Sequence, residues 1–347
     1  MTLIVPTPDE KLAAQRKPAL VAVDAVELHP QDWLVVCGGF EDRALAILEN
    51  ATSNGTPFNV AVIVYEPFVP ENKTADIRRI CQDRGISVRE LTYDRQDPAG
   101  FGNDLIEALA VCRGRIVVDI SGMSRLLIVQ ALVALQKRPK GFADCFVAYA
   151  EAQCYPPSAE EADAEISRSE SDPTFSIFFL SSGVFEVTVV PELSSNAAAS
   201  VQTRLIAFPS LDAHQLTALR AELQPSRLSI IEGIPPGAHN QWRQGTIARV
   251  NRLDQIQDAE RYKVSTLNYE ETLSSLLALY VKHGVYERLL VSPTGSKMQA
   301  VAVGILRSFV EDIQIVYPTP RDFLKPERYT QGVGQLYLLE LGPLSEN

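Results

Sequence analysis

The sequence predicts an α/β protein of two tandem Rossmann-like, doubly wound units with mainly parallel sheets, each with added antiparallel edge strands. Three observations lead to this fold class. Short, nearly continuous apolar runs alternate with segments of helical periodicity, which is typical of parallel sheets covered on both faces. The same order of runs occurs twice along the 347 residues. The residues that follow the fourth run are also alike in the two halves, which indicates an internal duplication.

In the first half, five apolar runs predict strands and the segments between them predict helices. The predicted strands are Leu34–Cys37, Val60–Tyr65, Val88–Leu91, Ile116–Ile120 and Cys145–Tyr149. The predicted helices are Asp42–Asn50, Thr74–Arg84, Asn103–Cys112 and Arg125–Gln136.

The second half repeats this order after Thr203. Its predicted strands are Leu205–Phe208, Leu228–Glu232, Tyr262–Leu267, Leu289–Ser292 and Ile313–Tyr317. Its predicted helices are Ala213–Leu223, Glu270–His283 and Lys297–Val310. If the duplication is real, the two halves have parallel cores with the same strand order.

The segments outside these cores predict the domain organisation. Ser158–Asp172 is acidic and polar and predicts a solvated loop. Phe175–Leu180 and Val184–Val190 flank a Ser-Ser-Gly turn and predict a β-hairpin. Gln335–Leu341 predicts an extra strand of the second half. The predicted division is an N-terminal extension (1–30), a first domain (31–193), a linker (194–202) and a second domain (203–347).

Composition limits the class of protein and its partners. Hydrophobic residues make up 46% and charged residues 22% of the chain, as in an ordinary globular protein. The net charge of −11 disfavours binding to duplex nucleic acid or to an anionic membrane surface. Five cysteines without C-x-x-C spacing predict a reducing compartment. Because no signal-peptide or membrane-span pattern is seen, we expect a cytoplasmic protein.

The turn Thr294-Gly-Ser-Lys297, between a strand and a helix, predicts a ligand site. Ligands of open parallel sheets bind beyond the carboxyl ends of the strands. Gly295 permits close approach of a ligand, amides at the helix start favour an anion, and Lys297 adds a positive charge. The turn lacks the upstream glycine of a P-loop. It is equally compatible with an ordinary strand-to-helix turn, with Lys297 in solvent.

The first half has a turn of the same plan. Ser121, Gly122, Ser124 and Arg125 again supply a hydroxyl, a glycine, a hydroxyl and a cation at a helix start. We expect the two turns to face each other across a shared cleft if the halves pack about a pseudo-twofold axis. The alternative for Arg125 is a surface arginine, paired with Asp119.

A second glycine-rich turn, Cys37-Gly-Gly-Phe-Glu-Asp-Arg43, follows the first strand. We predict that Gly38, Gly39, Glu41 and Arg43 contribute to ligand binding. The adjacent glycines do not match the G-x-G-x-x-G dinucleotide pattern, so no cofactor is expected.

Other catalytic and metal patterns are absent from the sequence. There is no G-x-S-x-G elbow, and the four histidines have no metal-ligand spacing, so we expect neither a nucleophilic catalytic set nor a metal. Glu66 and Glu232 both follow second strands, where an acid can bind a ribose hydroxyl. Each is also compatible with a solvated strand end.

The strand–Thr294-Gly-Ser-Lys-Met298–helix segment resembles the fourth-strand motif of the CRISPR-associated Rossmann fold sensors. The resemblance covers this turn and the general order of strands in both halves. It implies that Thr294, Gly295, Ser296 and Lys297, with Ser121, Gly122, Ser124 and Arg125 as duplicates, contact a nucleotide or cyclic oligonucleotide signal. It also implies a role in prokaryotic antiviral defence. The chain departs from the pattern at Pro293, and no recognisable effector domain follows the turn. We therefore expect a protein effector as a partner.

Three functions remain open from the sequence. The first is a ligand-binding sensor or regulatory subunit, which we favour over an enzyme because no complete catalytic set is visible. The second is an enzyme acting on a nucleotide or phosphorylated substrate, for which Glu41, Asp42 and Asp119 are the well-placed acids. The third is a structural subunit of a multiprotein assembly.

Overall fold

The chain forms two compact units in a computed structural model. The model describes residues 7–53, 55–172, 174–196, 202–323 and 328–345. The first unit combines Met1–Cys154 with Thr330–Asn347, and the second is Tyr155–Tyr329.

The described elements alternate between strands and helices along both units. The strands are β1 (Val21–Val23), β2 (Val26–Glu27), β3 (Trp33–Cys37), β4 (Ala51–Thr52), β5 (Asn59–Glu66), β6 (Ser87–Asp94), β7 (Ile116–Asp119), β8 (Cys145–Ala150), β9 (Val184–Thr188), β10 (Gln202–Ala207), β11 (Arg227–Ile234), β12 (Ala259–Ser265), β13 (Glu287–Ser292), β14 (Gln314–Ile315), β15 (Tyr317–Pro320) and β16 (Leu336–Glu340). The helices are α1 (Pro8–Ala14), α2 (Ala46–Asn50), α3 (Thr74–Asp83), α4 (Phe101–Leu109), α5 (Arg125–Gln136), α6 (Ala159–Ser171), α7 (Ala213–Leu223), α8 (Trp242–Val250), α9 (Tyr269–His283) and α10 (Lys297–Phe309).

The first unit is built on a seven-stranded sheet of order β1-β16-β8-β7-β3-β5-β6. The strands from β8 to β6 are parallel, and β16 is antiparallel to both β8 and β1. The first parallel strand of the chain is central, with the second and third on one side and the fourth and fifth on the other. This is the strand order of a Rossmann-like unit.

The second unit repeats this arrangement in a five-stranded parallel sheet of order β12-β11-β10-β13-β14. Its first strand is again central and its fourth strand lies beside it. A separate antiparallel pair, β9 with β15, adds to this unit. The predicted fold class and the shared strand order of the two parallel cores are therefore confirmed.

Burial explains why the central strands read as continuous apolar runs. All five residues of β3 and all four of β7 are buried, as expected for strands covered on both faces. In the second unit, β10 and β13 are each buried over their last four residues. The buried carboxyl ends of these neighbouring strands place the loops that follow them side by side.

The C-terminal strand differs from the prediction. β16 pairs with β8 in the first unit, from Leu336↔Ala150 to Glu340↔Phe146, and does not extend the second half. The pattern of an amphipathic strand specifies its exposed and buried faces but not its partner. The strand pairs instead with β8, the last parallel strand on that side of the first sheet. The chain rejoins the first unit at Thr330.

The acidic segment before the second half also differs from the prediction. Residues predicted as a loop form α6, which begins at a capping box between Ser158 and Glu161. The predicted hairpin is wrong as well, because Phe175–Leu180 is not a strand and β9 pairs with β15 instead.

The division of the chain differs accordingly from the predicted boundary at 193/194. Because α6 packs against α8 and β9 pairs with β15, residues from Tyr155 onward belong with the second unit. The predicted linker lies partly outside the described residues, at 197–201.

Candidate functional site

The strand order creates a topological switch point in the second unit, between β10 and β13. These parallel neighbours are in register from Gln202↔Glu287 to Ala207↔Ser292. From β10 the chain continues to α7, and from β13 to α10. In open α/β sheets, the crevice outside the carboxyl ends of such a strand pair is where ligands bind.

Two residues of the predicted turn, Thr294 and Gly295, contact the loop that follows β10. Thr294 is buried, and its Oγ1 donates a hydrogen bond to Phe208 O at 2.7 Å. A Cβ added at Gly295 would lie 2.2 Å from Gln299 Oε1 and 3.1 Å from Phe208 Cβ. Gly295 is therefore required by packing within the turn.

Ser296 caps α10 through a complete capping box. Its Oγ accepts a hydrogen bond from Gln299 N at 3.1 Å, and its N donates to Gln299 Oε1 at 2.8 Å. The Ser296 hydroxyl also donates to Thr266 O at 2.5 Å. The side chain is thus fully engaged in starting the helix, as the alternative interpretation of this turn required.

The capping box leaves one buried donor without an acceptor. Gln299 is 2% exposed, and its Nε2 has no hydrogen-bond partner among the described residues. The orientation of the amide is defined because Oε1 accepts from Ser296 N. The Nε2 lies 3.5 Å from the position that a Cβ at Gly233 would occupy, at the end of β11. A buried unsatisfied amide donor costs about 1–3 kcal/mol.

Two further polar residues border the same strand ends. Lys297 is the first residue of α10 and is half-buried. Ser292 closes β13, is fully buried, and its Oγ also has no hydrogen-bond partner in the described part of the chain. Sequence reasoning placed Lys297 at the helix start but missed Gln299 and Ser292. The signal for Gln299 was the Ser-x-x-Gln capping box.

The two serine hydroxyls of the matching turn in the first unit are hydrogen-bonded within that unit. Ser121 is buried, and its Oγ accepts a hydrogen bond from Ala150 N at 2.8 Å. Ser124 caps α5 by accepting from Leu127 N at 3.2 Å. Arg125 is the first residue of α5 and is half-buried. The residue that corresponds to Gln299 is Leu127, which supplies no side-chain hydrogen-bonding group.

The glycines of the first unit bring two loops into backbone contact. A Cβ at Gly39 would lie 2.5 Å from Gly122 O, and one at Gly122 would lie 2.3 Å from Cys37 O. A Cβ at Gly38 would lie 2.2 Å from Thr74 Oγ1, at the start of α3. The structure thus gives these three glycines a packing role.

Tyr65 anchors the same turn from the end of β5. Its hydroxyl accepts a hydrogen bond from Ser124 N at 2.6 Å and lies 3.4 Å from Gly122 O. Burial raises the pKa of Tyr65 well above its ordinary value. The phenol therefore stays protonated and serves as a fixed neutral partner for the turn.

Glu41 and Arg43 form a buried network. Arg43 Nε donates to Glu41 Oε2 at 2.5 Å, and its Nη1 donates to Tyr149 OH at 3.0 Å. Thr330 Oγ1 donates to the same Glu41 oxygen at 3.0 Å. The network connects the loop after β3 to β8 and to the C-terminal segment that begins at Thr330. It therefore accounts for Glu41 and Arg43 without a ligand.

The acids considered for catalysis are engaged in local structure. Glu41 belongs to the network just described, and Asp42 pairs with Lys73 at 3.2 Å. Asp119 is buried and accepts from Ser121 N at 2.8 Å.

Within the described ranges, no group of three or more His, Cys, Asp or Glu side chains is arranged to hold a metal ion. No helix among the described residues has the length and hydropathy of a membrane span.

Comparison with known proteins leaves the family open. No family model matches the chain, and no curated protein matches it. Among solved structures, the cytoplasmic domain of a prokaryotic cation chloride cotransporter is 11% identical, with 82% of this chain and 93% of that chain covered and a TM-score of 0.23.

A second solved structure contains the adenylation, ketoreductase and pseudo Asub domains of a keto acid-selecting NRPS module. It is also 11% identical, with 86% of this chain and 28% of that chain covered and a TM-score of 0.14. With TM-scores this low, neither likeness carries an argument about fold or function.

Proposed function

We propose that the chain is a ligand-binding protein whose second unit binds a phosphorylated small molecule at the carboxyl ends of β10 and β13. The observation that carries the proposal is the orphaned Nε2 of Gln299. A buried amide donor next to a helix start is complementary to an oxygen-rich anion, and it lies at the switch point where ligands of this fold bind.

The charge distribution supports an anionic ligand. Lys297 places a cation at the first position of α10, a helix of 13 residues. The partial positive charge at the start of a helix adds to the attraction for phosphate. This local arrangement contrasts with the net charge of −11 of the whole chain.

We further propose that the ligand is a nucleotide or oligonucleotide signal and that the protein passes this signal to a protein effector. The resemblance of Thr294–Met298 to the fourth-strand motif of the CRISPR-associated Rossmann fold sensors supports this ligand class. The hydrogen bonds that Glu41 accepts from Arg43 and Thr330 favour binding over catalysis.

Calorimetric titration of the full chain with AMP and with inorganic phosphate tests the proposal. Gln299→Glu keeps an oxygen that can accept from Ser296 N but replaces the Nε2 donor with a carboxylate oxygen. We expect AMP affinity to fall by about 10- to 100-fold or more, since a lost hydrogen bond to a charged group is worth roughly 1.5–3 kcal/mol. For Lys297→Ala we expect the affinity for AMP to fall by a similar factor.

The matched control is Arg125→Ala, the same helix position in the first unit. It should leave the affinity for AMP within about twofold of wild type, because Arg125 belongs to the first unit and the proposed site lies in the second. Equal losses in Arg125→Ala and Lys297→Ala, or unchanged affinity in Gln299→Glu, would contradict the assignment to the second unit.

A further inference from the structure

The side chain of Thr266 lies beside the orphaned amide of the second unit. Thr266 is the first residue after β12 and is half-buried. A Cβ added at Gly233 would lie 2.6 Å from Thr266 Cγ2 and 3.5 Å from Gln299 Nε2. The methyl group and the amide therefore pack against the same face of Gly233. A ligand oxygen must come within about 2.7–3.2 Å of Nε2 to accept a hydrogen bond, so it can reach this buried donor only when a neighbouring group moves.

The Thr266 side chain can move while the backbone around the amide stays in place. Gly233 is fixed by the pairing of β11 with β12, and Gln299 lies in the first turn of α10. The backbone of Thr266 is also held, since its N donates to Ile234 O at 2.9 Å and its O accepts from Ser296 Oγ at 2.5 Å. Rotation about the Cα–Cβ bond alone carries Cγ2 from one staggered position to another. The amide can therefore be uncovered by the motion of one side chain.

The first unit has a fixed aromatic side chain in the corresponding place. Tyr65 is the next-to-last residue of β5, as Gly233 is of β11. Its hydroxyl accepts a hydrogen bond from Ser124 N at 2.6 Å, so the phenol itself satisfies the start of α5. Arg95, the first residue after β6, takes the place of Thr266, and its guanidinium lies 5.8 Å from the centre of the Tyr65 ring. The small residues beside a buried amide are therefore particular to the second unit and are not a general feature of the fold.

We propose that Thr266 is a positioning residue that controls access to the site of the second unit, because its methyl group covers the Gln299 amide until the side chain rotates away. This inference rests on the proposed function, in which that amide binds an oxygen of the ligand. When only a fraction of the protein is in the open state, the apparent affinity for the ligand is reduced by that fraction. Loss of the methyl group should therefore strengthen binding without adding a contact to the ligand.

Exchange of the Gln299 side-chain amide protons with water tests the closure in the ligand-free full chain, labelled with ¹⁵N. Thr266→Ala removes the methyl group, whereas Thr266→Val keeps it and replaces only the hydroxyl. We expect exchange to be about three- to fivefold faster in Thr266→Ala than in wild type, since burial of one methyl group is worth about that factor. Thr266→Val should exchange at the wild-type rate. Equal rates in all three proteins, or faster exchange in Thr266→Val, would overturn the proposal, and thermal unfolding confirms that each variant is folded.

Calorimetric titration of the same three proteins with AMP and with inorganic phosphate connects the closure to ligand binding. Thr266→Ala should bind AMP about three- to fivefold more tightly than wild type, and Thr266→Val should bind it as wild type does. If AMP binds to wild type and Thr266→Ala with equal affinity, Thr266 does not control access, while the phosphate site stands. If exchange is faster in Thr266→Ala but neither probe binds to any of the three proteins, the closure is supported and the proposed function is wrong.

Discussion

Gly39 and Gly122 show how single residues shape the turns of the first unit, because each leaves no room for a side chain. A Cβ at Gly122 would lie 2.3 Å from the backbone oxygen of Cys37. We expect Gly122→Ala to destabilise the protein by about 1–3 kcal/mol through overpacking. Urea unfolding measures this change.

Gly245 provides the matched control within α8. A Cβ there would meet no atom within 4 Å outside its own helix. Gly245→Ala should be stabilising by roughly 0.5–1 kcal/mol, since alanine is the better helix former. If Gly122→Ala proves as harmless as Gly245→Ala, the backbone contact between the two loops is not as described.

Glu260 gives the second unit a predicted pH dependence. Burial alone would raise the pKa of this carboxyl, but hydrogen bonds from Lys282, Tyr262 and His283 lower it from 4.5 to about 2. Because the pKa of this carboxyl is lower in the folded protein than in the unfolded chain, its ionised form stabilises the fold at pH values above about 4.5. This stability is lost as the pH falls from about 4.5 towards 2.

The test compares wild type with Glu260→Gln in urea unfolding at pH 7 and at pH 3. Wild type should be the more stable protein at pH 7, and the difference in unfolding free energy should narrow at pH 3. A difference that stays constant over this range would show that the carboxyl is not held ionised by these partners.

At the scale of elements, α6 depends on its first turn. The Ser158 side chain accepts from Glu161 N at 3.2 Å, and Glu161 Oε2 accepts from Ser158 N at 2.9 Å. We expect Ser158→Ala to cost about 0.5–2 kcal/mol of unfolding free energy. Amide hydrogen exchange should show faster exchange confined to α6. Unchanged exchange there would mean that packing alone maintains the helix.

Most core elements could be predicted from periodicity, because their burial on both faces produces long apolar runs. The bounds of α5 and α7 agree with the prediction to the residue, and those of β13 within two residues. The acidic segment of α6 was harder to predict, since it has only two buried side chains, Ala162 and Ile166. The sequence feature that indicates this helix is its capping box, formed by Ser158 and Glu161.

At the scale of the whole molecule, the C-terminal segment returns to complete the first sheet. β16 lies between β1 and β8, so both of these strands depend on it for their antiparallel hydrogen bonds. No strand of the second unit's described sheets pairs with it. A chain that ends at Tyr329 should therefore lose the stability of the first unit while the second unit stays folded.

Limited proteolysis and thermal unfolding of the truncated chain test this prediction. Rapid cleavage should occur within residues 7–154, while a fragment from residue 155 onward resists the protease. If the truncated chain melts like the full chain, β16 contributes little to the first sheet.

The candidate site could be predicted only in part. Helix periodicity and the strand order located Lys297 at a helix start beyond a buried strand, as observed. The orphaned amide of Gln299 and the position of Thr266 beside it depend on distances between α10, β11 and the turn after β12. Such distances between elements that are remote along the chain are not encoded in local patterns.

The most direct test of the proposed site is the side-chain amide resonance of Gln299 in ¹⁵N-labelled protein, assigned by its loss in Gln299→Glu. Titration with AMP should shift this resonance together with the backbone amides of Gly295 to Met298, because the Nε2 donor gains an acceptor at the start of α10. Shifts confined to the first unit around Arg125, with the Gln299 amide unmoved at saturating AMP, would contradict the account.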